Sequence, residues 1–208
     1  MIAQIDPAVS QTLQPSTAAI PAQLRRIVLT GFMGAGKTTV GRLLAARLGW
    51  EFLDLDAAIE SRTGLAVPSI FATHGEAHFR QLESEALAAA LGRSSIVLAL
   101  GGGAPESLTN RLLIEQTPGT ATIFLDAPFA TLFDRCMIQA IGSGADAADP
   151  GHARPLLADP TTAEARFLAR QPIYRRLAHH SISTGSLTTE QTVDAVFEHL
   201  RTPSPRLR

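Results

Sequence analysis

The chain has 208 residues, of which 45% are apolar and 18% are charged, and its formal net charge is −1. This length and apolar content predict one globular domain with short tails and exclude two large domains. A net charge close to zero gives no general attraction to nucleic acid or anionic lipid, so neither is an expected partner. The single cysteine, Cys136, excludes an internal disulfide and a zinc site of paired thiolates. Because no apolar run approaches the roughly 18 residues that cross a membrane, we expect a soluble protein.

The two ends of the chain lack the periodic apolar pattern of packed elements. Residues 1–24 mix Ala, Gln, Ser and Thr with three prolines, and we expect a flexible N-terminal extension. A transit peptide is the alternative, but the segment contains Asp6 and has no Lys or Arg before Arg25, which disfavours it. Residues 202–208 are expected to form a flexible tail, so the predicted domain spans 25–201.

Between these ends, short apolar runs alternate with longer helical segments, which is typical of βα units and a parallel sheet. The predicted strands cover 26–30, 51–55, 95–100, 120–125 and 180–184. The predicted helices cover 37–48, 56–63, 67–73, 76–91, 106–116, 128–140, 161–178 and 189–200. The expected fold class is therefore α/β, with a five-stranded parallel sheet flanked by helices. Ligands of such sheets bind at the carboxyl ends of the strands.

A long loop interrupts the alternation after the helix over 128–140. Residues 142–153 are small, turn-forming and acidic, with nothing apolar to bury. A loop of this length inside a compact domain is usually functional or disordered, and we interpret it as part of a lid over about 140–160.

The strongest local motif is GFMGAGKT, from Gly31 to Thr38, between a predicted strand and a predicted amphipathic helix. This spacing and context are those of the P-loop, in which backbone N–H groups and a helix N-terminus hold phosphate. Lys37 is expected to reach the β- and γ-phosphates, and the Thr38 hydroxyl to hold Mg²⁺. A glycine-rich turn with an incidental lysine is disfavoured because both spacing and flanks agree. The motif predicts binding of ATP or GTP through Gly34, Ala35, Gly36, Lys37, Thr38 and Thr39.

Two carboxylates lie at the end of the second predicted strand. Many P-loop ATPases place their metal-binding acid after an apolar strand, but strand 95–100 leads into glycines, so the acid must come from elsewhere. Asp54 and Asp56 are two residues apart and point to the same face while the strand continues. One can serve Mg²⁺ and the other a substrate. The alternative is a capping role, for which Asp56 suits the start of the next helix.

Three glycines, Gly101 to Gly103, follow strand 95–100 directly. They permit close backbone approach to a small ligand, or else they form a strained strand-to-helix turn. Either interpretation places them at the ligand-binding edge of the sheet.

Charged and imidazole side chains follow along the predicted helices of residues 67–91. Arg80 and Glu83 are three residues apart and can pair on one helix face. His74 and His78 are four apart, but Gly75 lies between them and the HExxH order is absent. We therefore expect no metal site at these histidines.

Several arginines follow the predicted lid. Arg154 ends the predicted lid, and the proline after it fixes the backbone there. The arginine side chain can swing over the phosphates. Arg166 and Arg170 are four residues apart and share a helix face, with Arg175 and Arg176 beyond them. Some of these side chains are expected to be solvated, and composition does not choose among them.

Together these motifs resemble the shikimate kinase family, small P-loop enzymes with an adenylate-kinase-like core. The resemblance covers about residues 26–200, far more than a P-loop alone. The matching stretches, in family order, are GFMGAGKTTVGRLLA, FLDLDAAIE, IFATHGEAHFRQLE, ALGGGA, RPLL and ARQPIYRRLA. The loop over 142–153 is longer and more acidic than expected for the family, and it brings no second arginine before Arg154.

The resemblance implies phosphorylation of a shikimate hydroxyl by ATP with Mg²⁺. Its implied catalytic residues are Lys37, Asp56 and Arg154. Asp54 would lie near Mg²⁺, Asp56 on the substrate hydroxyls, and Arg154 on the transferring phosphate.

The remaining implied residues concern the rest of the substrate. Arg80 and Arg170 would bind its carboxylate, because paired guanidinium groups match a carboxylate. The Gly101–Gly103 backbone would lie beside the ring, and Glu83 would brace the site.

Two other functions stay open from the sequence. A gluconate kinase would share the P-loop, but it has less reason for FLDLD, GEAHFR and ALGGGA. A noncatalytic nucleotide-binding regulator would not need every matched position to be filled. A shikimate kinase is expected in the bacterial cytoplasm or a plastid, and we expect a cytoplasmic monomer.

Overall fold

A computed structural model of the chain describes residues 20–142 and 159–201. The predicted lid loop over 142–153 lies almost entirely outside the described residues, as do most of the predicted N-terminal extension and the tail over 202–208. Within the described part, no helix is long and apolar enough to span a membrane.

Five strands form one sheet in which every pairing is parallel. The strands are β1 (Arg26–Thr30), β2 (Glu51–Asp54), β3 (Ile96–Ala99), β4 (Thr120–Asp126) and β5 (His180–Ser183). Their order across the sheet is β2-β3-β1-β4-β5. The predicted α/β class and five-stranded parallel sheet are confirmed, and β1, which leads into the P-loop, lies at the centre.

Seven helices connect or flank these strands in the described part of the chain. They are α1 (Lys37–Leu48), α2 (Leu55–Thr63), α3 (Val67–Leu91), α4 (Leu108–Gln116), α5 (Phe129–Gly142), α6 (Pro160–Leu177) and α7 (Thr189–Arg201). A short 3₁₀ turn, Ala104–Glu106, comes before α4. Gly75 has non-helical angles inside α3, φ 79° and ψ 172°. The predicted break between helices 67–73 and 76–91 is therefore present at that glycine.

The buried side chains of the strands alternate between the two faces of the sheet. Ile27 and Leu29 pack in one apolar cluster with α1 and α7. Val28, between them, packs in a second cluster with α2 and α3. This period of two is the geometry of a strand, and burial on both faces explains why RIVLT is a continuous apolar run and not an alternating pattern.

The folded part of the chain begins a few residues before the predicted boundary at residue 25. Leu24 is buried, with 5% exposure, and Ile20 packs against the same core cluster. A turn in which Leu24 N donates to Pro21 O at 2.9 Å directs the leucine inward. Residues 20–24 therefore belong to the packed domain. The sequence does not predict this, because a single leucine after a proline-containing segment forms no periodic apolar pattern.

We predict that Leu24→Ala will destabilise the protein by about 2–5 kcal/mol, because it removes a buried leucine and leaves a cavity. Gln23→Ala is the matched control, since Gln23 is exposed and such changes usually alter stability by less than about 0.5 kcal/mol. Urea unfolding of both variants measures the difference. Equal stability would show that the segment before β1 is not part of the core.

Candidate active site

The predicted site residues line one cleft at the carboxyl end of the central strands. Its walls come from the P-loop after β1, the β2–α2 junction, α3, the glycines after β3, and α6. The predicted residues in its lining are Gly34, Gly36, Lys37, Thr38, Thr39, Asp54, Asp56, Arg80, Glu83, Gly101, Gly102, Gly103 and Arg170. Ala35 is the exception in the P-loop, since it is 2% exposed and packs in the core. Arg154 lies outside the described residues.

The P-loop folds tightly because its glycines adopt angles that other residues avoid. Gly34 has φ 74°, and a Cβ atom there would fall against the Leu132 carbonyl of α5. Only glycine suits both conditions. Lys37 Nζ donates to the carbonyls of Gly31 and Phe32, each at 3.0 Å. These bonds hold the ammonium group inside the curve of the loop, where phosphate oxygens would be bound.

Asp54 joins the end of β2 to both α1 and α2. Its Oδ2 accepts a hydrogen bond from Thr38 Oγ1 at 2.8 Å. Its Oδ1 accepts from the backbone N–H groups of Asp56 and Ala57, at 3.2 and 3.4 Å, and so caps α2. One carboxylate thereby binds the hydroxyl of the P-loop and stabilises the start of the next helix.

The expected strand face of these carboxylates is wrong, and so is the alternative that Asp56 is the cap. The strand ends at Asp54, not at residue 55, and Leu55 already begins α2. Asp54 and Asp56 therefore do not share the face of a continuing strand. The cap is Asp54, not Asp56, because the acid that precedes the first helical residue is the one placed to accept from the free N–H groups. Asp56 lies in the first turn of α2, and its carboxylate faces the glycines after β3.

The Asp56 carboxyl is in an environment that favours its neutral form. Burial raises its pKa above the ordinary range, and the charge of Asp54 raises it further. Lys37 and Arg80 act in the opposite direction but do not cancel these effects. A carboxyl with a raised pKa in a cleft is a candidate for proton transfer.

Arg80 is held by acids of its own helix. Its Nη1 donates to Glu83 Oε2 at 2.9 Å, and its Nη2 to Glu76 Oε1 at 3.1 Å. Burial alone would lower the pKa of Arg80, but Glu83 and Glu76 hold it above the usual value. Burial also raises the pKa of Glu83, and the Arg80 charge partly offsets this. The predicted Arg80–Glu83 pair is confirmed, and it fixes the guanidinium group at the edge of the cleft.

Arg170 reaches the same cleft from α6 and is almost buried, with 9% exposure. Its Nη2 donates to Glu106 Oε2 at 2.9 Å, while its buried Nε has no partner among the described residues. Of the other arginines, Arg166 lines the cleft and Arg175 pairs with Asp126 at 3.1 Å, outside it. Arg166 and Arg170 therefore both reach the cleft, as expected for two residues that share one helix face.

The glycine triplet lets these charged groups converge. A Cβ atom on Gly101 would lie 2.5 Å from Asp56 Oδ1, and one on Gly103 would lie 2.6 Å from both Arg80 Nη atoms. Gly102 is less crowded, with Arg170 Nη1 and Tyr174 Oη at 3.7 Å. The glycines therefore permit the expected close approach to their backbone, and the groups that make it here are side chains of the protein.

Two residues of the site had no role assigned from the sequence. Tyr174, which is buried, donates from its hydroxyl to Gly102 O at 2.5 Å and so fastens the glycine turn to α6. Glu106 binds Arg170 and lies 3.8 Å from Arg80. Tyr174 falls inside the matched stretch ARQPIYRRLA, which is a signal, whereas Glu106 belongs to no motif.

His74 and His78 are not among the described residues that line the cleft. The rings of His74 and His78 lie 5.0 Å apart, and His74 Nδ1 bonds with Thr73 Oγ1 at 2.7 Å. Among residues 20–142 and 159–201, no three His, Cys, Asp or Glu side chains form a group that could hold a metal ion. Cys136 is buried in α5.

We predict that Asp56→Asn will raise the melting temperature at neutral pH. Because the folded-state pKa of Asp56 is raised, ionisation above that pKa opposes folding, and an amide of the same shape removes this cost. Each kcal/mol gained corresponds to about 2–4 °C for a domain of this size. Calorimetry measures the change.

The rise in melting temperature should shrink as the pH falls toward the unfolded-state pKa of aspartate, about 3.9. At that pH the wild-type Asp56 carboxyl is protonated and, like the amide, carries no charge. Glu115→Gln is the control for the same charge change at an exposed position, and it should leave the melting temperature nearly unchanged. A destabilised Asp56→Asn variant at neutral pH would contradict the prediction.

Comparison with known proteins identifies the family of the chain. The shikimate kinase profile matches residues 33–201. A shikimate kinase of Symbiobacterium thermophilum is 40% identical over 178 residues, which are 84% of this chain and 95% of that protein.

Solved structures give the same result. Shikimate kinase from Acinetobacter baumannii in complex with shikimate is 34% identical, with a TM-score of 0.71 over 84% of this chain and 92% of that one. A gluconokinase from Sinorhizobium meliloti is 18% identical, with a TM-score of 0.55 over 85% of this chain and 91% of that one, so it shares the fold alone. With the P-loop, the paired arginines and the glycine triplet gathered in one cleft, these matches show that the chain belongs to the shikimate kinase family.

Proposed function

We propose that this chain transfers the γ-phosphoryl group of ATP to a hydroxyl of shikimate, giving shikimate 3-phosphate and ADP for the synthesis of aromatic amino acids. The observation that carries the proposal is the placement of Arg80, Arg170 and Asp56 in the same cleft as Lys37 of the P-loop. Two guanidinium groups suit the one carboxylate of the substrate, and a nearby carboxylate suits its hydroxyls.

ATP is proposed to bind along the P-loop. The backbone N–H groups from Gly34 to Thr39 and the N-terminus of α1 would hold its phosphates. Lys37, now bonded to two loop carbonyls, would turn its ammonium group to the β- and γ-phosphates. Arg154 is proposed to lie over the transferring phosphate as the lid closes, by its resemblance to the family. A group in that role contributes about 10³–10⁵ in rate.

The residues beside the P-loop fit Mg²⁺. The ion is usually held by one or two protein oxygens together with phosphates and water, and the Thr38 hydroxyl and the Asp54 carboxylate lie 2.8 Å apart. We propose these two side chains as its protein contacts. When bound with ATP, the ion supplies positive charge to the β- and γ-phosphate oxygens.

Shikimate is proposed to bind across the glycine turn. Arg80 and Arg170 would each donate to its carboxylate, and Glu83, which is 1% exposed and 2.9 Å from Arg80, would keep the first of them in place. Asp56 would accept a hydrogen bond from the hydroxyl that attacks.

The chemical step needs a proton acceptor at that hydroxyl. As the substrate oxygen forms its bond to the γ-phosphorus, the bond from phosphorus to the ADP oxygen breaks, and the hydroxyl proton passes to Asp56. Burial and Asp54 raise the pKa of Asp56 toward the working pH, which suits a general base. Such a base contributes about 10²–10⁴ in rate.

We further propose that the enzyme works as a cytoplasmic monomer. Every proposed contact to ATP, Mg²⁺ and shikimate comes from one chain, so the site is complete without a second copy.

The proposal is tested by ADP release in the presence of ATP and Mg²⁺ with shikimate, with gluconate, or with no acceptor. We expect turnover with shikimate alone. Lys37→Ala should reduce this turnover by about 10²–10³-fold, since it removes charge stabilisation and leaves the core intact. Turnover with gluconate would favour the gluconate kinase alternative, and nucleotide binding with no acceptor-dependent turnover would favour a regulator.

The glycine triplet gives a second test. Gly101→Ala should lower kcat because its methyl group displaces Asp56, and Gly103→Ala should raise the KM for shikimate because its methyl group displaces Arg80. Small displacements in a site cost up to about 10²-fold. Gly92→Ala is the control, since Gly92 lies outside the cleft, has φ −70° and would place a Cβ atom at ordinary contact distance from its neighbours. Steady-state kinetics measure all three, and equal effects from them would contradict the proposed assignments.

A further inference from the structure

Glu106 lies where the two arginines of the proposed substrate site meet. It ends the 3₁₀ turn Ala104–Glu106, three residues after the glycine triplet. Its Oε2 is 2.9 Å from Arg170 Nη2 and 3.8 Å from Arg80 Nη2. One carboxylate oxygen therefore lies between guanidinium groups from two different helices.

Of the three acids that bond to these arginines, Glu83 and Glu106 differ in how easily their side chains can turn away. Glu83 is 1% exposed and belongs to the same helix as Arg80, so its side chain has no route into solvent. The Glu106 side chain is 42% exposed, and turning it outward costs little burial. Glu83 is thus a permanent partner, whereas Glu106 is a displaceable one.

The charges around the two arginines decide whether Glu106 can stay when the substrate carboxylate binds. Glu76 and Glu83 already bond to Arg80, while Glu106 bonds to Arg170 and lies 3.8 Å from Arg80. A substrate carboxylate added beside Glu106 would place two like charges on the same guanidinium groups, and such an arrangement is unfavourable.

Resting on the function proposed above, we infer that Glu106 is an internal competitor for the substrate: its carboxylate occupies the carboxylate position in the ligand-free protein, and shikimate displaces it. Displacement subtracts the same free energy from every carboxylate ligand. A ligand that also bonds to Asp56 through its hydroxyls recovers this loss, and a simple carboxylate does not. Glu106 therefore weakens the binding of every carboxylate ligand alike, and the bonds to Asp56 decide which of them still binds tightly.

The test replaces the carboxylate by an amide of the same shape. In Glu106→Gln the KM for shikimate should fall at least about threefold, because no carboxylate has to leave the arginines before the substrate binds. The kcat should stay within about twofold of the wild-type value. Cyclohexanecarboxylate, which has the carboxylate but no hydroxyl, should bind more tightly to the variant by a similar factor. Isothermal titration calorimetry measures this binding without any turnover.

Glu85→Gln is the matched control. It removes an acid of the same helix as Arg80, but Glu85 pairs with Arg62, is 50% exposed and is not among the residues that line the cleft. Its KM for shikimate should stay within about twofold of the wild-type value. The KM for ATP should be unchanged in both variants.

A KM for shikimate that is unchanged or higher in a folded Glu106→Gln variant would overturn the inference, since Glu106 would then orient the arginines instead of competing. A crystal structure of the unaltered protein with shikimate tests the same point without substitution: the Glu106 to Arg170 hydrogen bond should be broken, and an intact bond would overturn the inference. If the unaltered protein does not phosphorylate shikimate, the proposed function fails, while the cyclohexanecarboxylate titration still decides on Glu106.

Discussion

Close approach to the Cα atoms of Gly101–Gly103 is the constraint on which the site depends. Asp56 comes from α2, Arg80 from α3 and Arg170 from α6, and each meets this turn at a different glycine. Any side chain at the first or third position would occupy the place of a carboxylate or a guanidinium group. The carboxyl end of β3 therefore carries no acid of its own, and the charged groups of the cleft are supplied by the surrounding helices.

The charges gathered there are kept in place by one another. A guanidinium group as buried as Arg170 needs an acid nearby, and Glu106 provides one at 2.9 Å. Arg80 lies between Glu83 and Glu76, so it remains ionised although burial opposes its charge. Asp56 is the exception, because burial and Asp54 outweigh the two cations near it. The cleft thus holds arginines paired with acids next to one carboxyl that ionises with difficulty, which is a suitable arrangement for binding an anion and moving a proton.

The sequence predicts what local pattern specifies. The continuous apolar runs and the P-loop spacing identify the parallel sheet and the phosphate site, and the Arg80–Glu83 spacing identifies an ion pair, because each depends on neighbours within a few residues. The end of β2 was wrong by one residue, since Asp54 bonds to Thr38 across the fold and caps α2 there. Glu106 and Leu24 carry no local pattern. Their roles depend on α6 and on the core, which are distant in the chain, so only the folded structure reveals them.

The two oxygens of Asp54 have a consequence for how this enzyme can change. One oxygen meets the hydroxyl beside the phosphate site and the other starts the helix that carries Asp56. A single side chain thereby links the P-loop, the local folding of α2 and the position of the proposed base. Removing the Asp54 side chain would therefore change the rate, the affinity and the stability together, and these three effects could not be separated from one another. Asparagine is as good a helix cap as aspartate and has its shape, so this replacement would keep the start of α2 while removing the charge beside the P-loop.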